Sequence, residues 1–277
     1  MSAKAPASPP SCSDSSAANG EALAGTASHD GAWLAVEWSG SWGRDVLADT
    51  ELPDDLAALT AGFDGRVLLV RRPGRRSAET AVFHARATEE GGGLSRRVHR
   101  SGQVDNGIDE PLEGPLVLVC AHGRRDACCA RFGPPLFDAL SPHVEADRLW
   151  QSSHQGGHRF AANVLVLPAG VQLGRVAPAD APRVAALLAE NRIPLDLYRG
   201  RTLYTPPVQA AEIAIRRKLG LDAVADLRLL AVDGDLVRFA TCQGEIGARV
   251  TSRPGPEVAA SCGAQPEPTV CHTVTVA

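Results

Sequence analysis

The chain has 277 residues, a net charge of −4 and 44% hydrophobic residues, enough apolar side chain to pack a core in one or two domains. Its mild acidity excludes a nucleic-acid surface, which needs a dense basic face to neutralise phosphates. No run approaches the ~20 apolar residues that span a bilayer and no apolar leader opens the chain, so no membrane partner and a cytoplasmic location are expected. The seven cysteines are odd in number and unevenly spaced, which in a reducing compartment points to metal or redox chemistry before crosslinks.

Residues 1–28 are Ser, Ala, Pro and Gly with almost no large apolar side chains, and they read as a disordered tail. A small amino-terminal α/β unit is expected over 29–110. Within it Trp33 to Val36, Val67 to Val70 and Ala81 to His84 read as strands and Leu52 to Leu59 as a helix, with turns at Arg72-Pro73-Gly74-Arg75-Arg76 and Gly91-Gly92-Gly93. The tryptophans Trp33, Trp38 and Trp42 read as packing residues, and Arg72, Arg75 and Arg76 as a solvated turn.

A second region is expected over 111–200. The apolar run Leu116 to Val119 delivers the chain into Cys120, and a loop over 121–130 follows. The pair Pro134-Pro135 suits the first turn of a helix running to Ser141. Leu149 and Trp150 begin a strand, Val164 to Leu167 forms another, and Ala181 to Glu190 reads as a helix. Over 201–277 a helix from Val208 to Leu219 ends on Arg216, Arg217 and Lys218 before Gly220. The runs Leu227 to Val232, Leu236 to Thr241 and Ile246 to Val250 then form a β meander. No internal sequence repeat is evident.

Two segments carry the chemistry. Cys120-Ala-His-Gly-Arg-Arg-Asp-Ala-Cys-Cys129 is a glycine-containing loop with thiols at both ends, and His154-Gln-Gly-Gly-His158 sets two imidazoles around a glycine pair. Two thiolates and two imidazoles suit zinc or an iron-sulfur cluster. The eight residues between the outer thiols exceed the two to four of a zinc knuckle, yet residue chemistry by itself leaves zinc and cluster nearly even.

The two segments resemble the sucrase/ferredoxin-like family, whose pattern C-x-H-x-x-R-D-x-x-C followed by H-x-G-G-H is matched by Cys120, His122, Arg125, Asp126 and Cys129, then His154, Gly156, Gly157 and His158. The likeness extends through Arg159, Phe160, Asn163 and Pro168, and more loosely from Trp33 to Arg175. The resemblance implies a thioredoxin-like ferredoxin fold of the α/β class. It also implies a 2Fe-2S cluster whose ligands are Cys120, Cys129, His154 and His158, serving a one-electron, proton-coupled redox protein. Its partners would then be redox donor and acceptor proteins, and it would be an electron-transfer protein before a stand-alone enzyme.

The rival readings are a zinc-stabilised interaction module and a thiol-disulfide oxidoreductase, the latter weakened by the absence of Cys-x-x-Cys. A glycosidase lacks any recognisable carboxylate pair. Cys128 reads as an extra thiol that could exchange with Cys129. Cys262, Cys271 and His272 do not fit the cluster pattern and read as structural before a second site; Cys242 reads as core, and His122 as a residue held by a loop hydrogen bond.

Overall fold

A computed structural model of the chain describes residues 11–74, 79–100 and 108–277. In chain order the elements are α1 (Cys12–Ala18), β1 (Ala32–Glu37), α2 (Asp54–Ala61), β2 (Arg66–Arg71), β3 (Thr80–Arg86), β4 (Gly93–His99) and β5 (Glu110–Pro111). They continue with β6 (Leu116–Cys120), α3 (Ala127–Leu140), β7 (Leu149–Ser152), β8 (Val164–Leu167), β9 (Val171–Leu173), α4 (Ala181–Ala189), β10 (Tyr198–Arg201) and α5 (Pro206–Leu219). Last come β11 (Arg228–Asp233), β12 (Leu236–Thr241), β13 (Gly244–Ala259) and β14 (Pro266–Val276). The α/β class expected from the sequence is what the chain adopts.

Strands β1 to β10 form one mixed sheet of ten strands, in the order β10-β9-β8-β6-β7-β2-β1-β3-β4-β5. The amino-terminal unit and the region that follows it therefore share a single sheet, joined where β2 runs antiparallel to β7 through Val70↔Ser152 and Arg71↔Gln151. The central strands are apolar on both faces, as a sheet covered on both sides requires. Every residue of β6 is buried. Val117 and Val119 face a core with Leu136, Phe137 and Leu140 of α3 and with α4. Leu116 and Leu118 face the opposite core with Trp33, Phe83 and Trp150. Each such side chain contributes about 2 kcal/mol by leaving water.

Two expectations are corrected by these elements. The tail assigned to 1–28 is ordered from residue 11 onward, because α1 buries Cys12, Ser13 and Ser16 and Glu21 forms an ion pair with Arg159 at 2.8 Å; residues 1–10 lie outside the described residues. The helix expected from Pro134 starts earlier, at Ala127. Asp126 caps it by accepting a hydrogen bond from the Cys128 amide at 2.8 Å, so Cys128 and Cys129 stand in its first turn, and Pro134 and Pro135 lie inside the helix.

Beyond β10, α5 packs on the separate sheet β11-β12-β13-β14 through a third core of Tyr204, Val208, Ala211, Ile215, Val237 and Phe239. The expected meander is present with one strand more. Strands β13 and β14 are long and pair from Ala248↔Val276 to Ala259↔Pro266, so their hairpin carries Cys262 far from the α5 core. Its tip reaches back to α3, where the Cys262 amide donates to Asp126 Oδ2 at 2.8 Å. Cys242, expected in the core, is exposed. Of the arginine turn, Arg75 and Arg76 lie outside the described residues. Arg72 is more than a solvated charge, since its guanidinium stacks 4.5 Å from the Trp150 ring centroid.

Candidate metal centre

The carboxyl ends of the parallel strands β6 and β7 open onto the site. Cys120 ends β6, Cys129 stands in the first turn of α3, and the two sulfurs lie 3.4 Å apart in a shared hydrogen bond. Such closeness needs helix and strand end in near contact, which Gly133 permits: a Cβ there would stand 2.1 Å from the Cys120 carbonyl oxygen. Hydrogen bonding to Cys129 lowers the Cys120 pKa against the effect of its burial, with help from the backbone amides of His122 and Gln155. The same bond and burial raise Cys129.

The histidine loop leaves β7 directly. His158 Nδ1 and His154 Nε2 are 3.0 Å apart, and Gly157 makes the turn at φ +70°, where a Cβ would also meet the Arg199 guanidinium at 2.3 Å. Polar side chains fix the loop from behind. Arg199 donates to the Gly156 carbonyl at 3.1 Å and to Asn163 Oδ1 at 2.8 Å, Asn163 Nδ2 donates to the Gly157 carbonyl at 2.9 Å, and Arg66 donates to the His154 carbonyl at 3.0 Å. Burial, then repulsion from His158, pushes His154 down to about 3, and burial lowers His158. Both rings are neutral at pH 7, the form that binds metals.

The sequence-predicted residues thus come together as two pairs. Among the described residues no three of these four donors gather within 4.8 Å of one another. Two ligands on one metal, at about 2.3 Å for sulfur or 2.0 Å for nitrogen, stand about 3.8 or 3.3 Å apart in a tetrahedron; each pair is within a few tenths of an ångström of that. His158 Nε2 is buried without a hydrogen-bond partner, 3.7 Å from Asp126 Oδ2. The donor set therefore fits a metal centre.

His122 holds the loops together. It donates from Nε2 to the Gly43 carbonyl at 2.7 Å, accepts from the His154 amide on Nδ1 at 3.2 Å, and packs edge-on against Trp42 at 5.7 Å. Both ring nitrogens are occupied, which makes it a positioning residue and not a ligand.

Sequence reasoning missed a neighbouring group. Cys12, Asp126, Cys128 and Cys262 bring one ligand atom each to within 4.8 Å of one another, and these four could hold a metal ion. Hydrogen bonding between Cys12 and Cys128 raises the Cys12 pKa and lowers that of Cys128 to about 6. Asp126 is held below the usual carboxylate range: burial acts to raise it, but the amides of Cys262 and Cys128 outweigh that. A run of Ser and Ala around Cys12 gave no signal of burial, and only its partners, 114 residues away and beyond, confer it.

The family profile described as Sucrase/ferredoxin-like matches residues 23–200, a span that includes all four predicted ligands. The curated relatives found include proteins called "Altered inheritance of mitochondria protein 32". One, from Clavispora lusitaniae, is 35% identical over 103 residues, 34% of this chain and 38% of that protein. Another, from Eremothecium gossypii, is 31% identical over 137 residues, 44% of this chain and 42% of that protein. The matched segments thus span less than half of either relative. No solved structure matches significantly. These names correct the functional expectation: the relatives are named for the inheritance of mitochondria, and the reading as a one-electron iron-sulfur carrier of electron transport is withdrawn.

Proposed function

This chain belongs to the sucrase/ferredoxin-like family, and on that premise we propose that it is a metal-binding protein whose centre is held by Cys120 and Cys129 on one side and His154 and His158 on the other. The observation that carries the reading is the pairing of the donors. Two thiols 3.4 Å apart and two imidazole nitrogens 3.0 Å apart provide two positions of two ligands each, which suits a binuclear centre better than one tetrahedral ion. Bound there, the metal supplies Lewis acidity and a crosslink between the α3 and β7–β8 segments. Arg199, Asn163 and Arg66 orient the histidine loop, while His122 ties that loop to Gly43.

A thioredoxin-like core is part of the proposal. It is supported by the order β6-α3-β7-β8-β9-α4, with strands arranged β7-β6-β8-β9, the first two parallel and the rest antiparallel. The cytoplasm is the proposed setting, supported by cysteines that are all free thiols; among the described residues no helix is long and apolar enough to cross a membrane. A part in the inheritance of mitochondria is proposed from the relatives' name alone.

The test is metal and acid-labile sulfide analysis of protein purified without oxygen, alongside Cys120→Ser and His154→Ala. The expected result is that both variants hold less metal than the wild type. Iron with equimolar sulfide would identify the centre as a 2Fe-2S cluster, and metal without sulfide as another binuclear form. Equal metal content in wild type and variants overturns the proposal.

A further inference from the structure

The adjacent thiols at the start of α3 face different ways. Successive helical residues are turned by about 100°, so while Cys129 meets Cys120, Cys128 meets Cys12 at 3.4 Å and Cys262 at 3.4 Å. Cys262 and Cys12 close the triangle at 3.6 Å. Asp126 Oδ1 lies 3.2 Å from the Cys262 sulfur and 3.7 Å from that of Cys12. We propose that Cys12, Cys128 and Cys262, with Asp126, form a second metal site, a mononuclear zinc site that clamps the amino-terminal helix and the β13–β14 tip onto the start of α3.

The geometry is that of a single ion. A tetrahedron with metal–sulfur bonds of about 2.3 Å and a metal–oxygen bond of about 2.0 Å has edges of about 3.8 and 3.5 Å. Five of the six edges are 3.2–3.7 Å and the sixth, between Cys128 and Asp126, is within 4.8 Å, so small shifts complete the tetrahedron. The chemistry agrees, since three thiolates and one carboxylate favour zinc over magnesium or calcium, which take oxygen ligands. Binding is a ligand exchange without redox change: zinc–water bonds break, three Zn–S bonds and one Zn–O bond form, and each thiol still protonated passes its proton to solvent. Cys12, Cys128 and Asp126 are buried, whereas Cys262 is accessible at the rim and gives the ion a way in.

The ligands come from three distant places in the chain, with Cys128 separated from Cys12 by 116 residues and from Cys262 by 134. An ion that joins them closes two long loops at once and stabilises the fold by binding the folded chain and not the unfolded one. It also holds the hairpin tip beside Asp126, whose other oxygen is 3.7 Å from His158 Nε2. The site thereby closes one wall of the neighbouring centre without using any of its four ligands.

The experiment uses the full chain under reductant, stripped with a chelator and titrated with zinc, and with cobalt(II) as a spectroscopic stand-in. Wild type is expected to take up one equivalent more than Cys12→Ser or Cys262→Ser, with a thiolate-to-cobalt charge-transfer absorption that both variants weaken. Cys271→Ser serves as the control and keeps the full stoichiometry. Cys120→Ser should retain this equivalent while losing the other centre, so the two proposals fail separately. Limited proteolysis of the wild type guards against misfolded variants: zinc, and not magnesium, should slow cleavage at 260–265 by about tenfold. Identical stoichiometry in wild type and both variants, or no protection by zinc, overturns the proposal.

Discussion

The two halves of the large sheet are built alike. In the first, β1 and β2 are parallel with α2 between them, β3 is antiparallel to β1, and β4 to β3, giving the order β2-β1-β3-β4. In the second, β6, α3, β7, β8 and β9 repeat that connectivity in the order β7-β6-β8-β9. Yet only the second carries the proposed ligands. Where β6 ends in Cys120, β1 ends in Glu37, which accepts a hydrogen bond from the Ala81 amide at 3.0 Å. Where β7 leads to His154, β2 leads to Arg71, whose guanidinium stacks 4.2 Å from the Trp42 ring centroid. Topology thus offers the same crevice twice, and residue chemistry decides which one becomes a site. The first half buttresses the second, through Gly43 and Trp42 on His122.

The comparison is broken most severely at the helix of each half. Gly133→Ala in α3 drives a methyl into the Cys120 carbonyl, 2.1 Å from its Cβ. It should cost on the order of 4 kcal/mol in denaturant unfolding and reduce metal content with it. Gly62→Ala at the end of α2, where the only neighbour is the Ala58 carbonyl oxygen at 3.8 Å, should change stability by less than about 0.5 kcal/mol.

Behind the histidine loop, Arg199→Met leaves the Gly156 carbonyl and Asn163 Oδ1 without their donor. We expect a loss of about 3 kcal/mol and metal affinity reduced by about 10- to 100-fold, measured by titration with a competing chelator. Arg71→Met in the first half should leave affinity unchanged.

Acid should act on the second half. In metal-free protein His154 is depressed from 6.5 to about 3, and the unfolded chain takes up the proton that the fold refuses. A depressed folded pKa gives stability that is complete above 6.5 and lost as pH falls toward 3. Unfolding free energy should therefore drop by about 3 kcal/mol between pH 7 and pH 4, and His154→Gln should flatten the profile.

The smallest effect expected is at the unused thiol. Cys242→Ser alters an exposed residue and should leave melting temperature and metal content as they are, within about 0.5 kcal/mol.

Local patterns in the sequence determined much of this protein. Apolar runs such as Leu116 to Val119 specify strands because their burial outweighs alternative placements, and the spacing of Cys120, Cys129, His154 and His158 marks a site because few other roles gather such residues on glycine-rich turns. Other features depended on contacts between distant residues. The start of α3 was hidden because Pro134 and Pro135 resemble a first turn, while the cap that sets it is one carboxylate, Asp126. Cys12 reads as part of a polar tail until α1 packs and the β13–β14 tip arrives beside it. The repeated topology of the two halves leaves no trace in residue identity, since strand order follows from which apolar faces meet and many sequences satisfy that. Tertiary structure alone decided that Cys128 and Cys129, neighbours in sequence, serve different groups, because a helix turns consecutive side chains toward different surroundings.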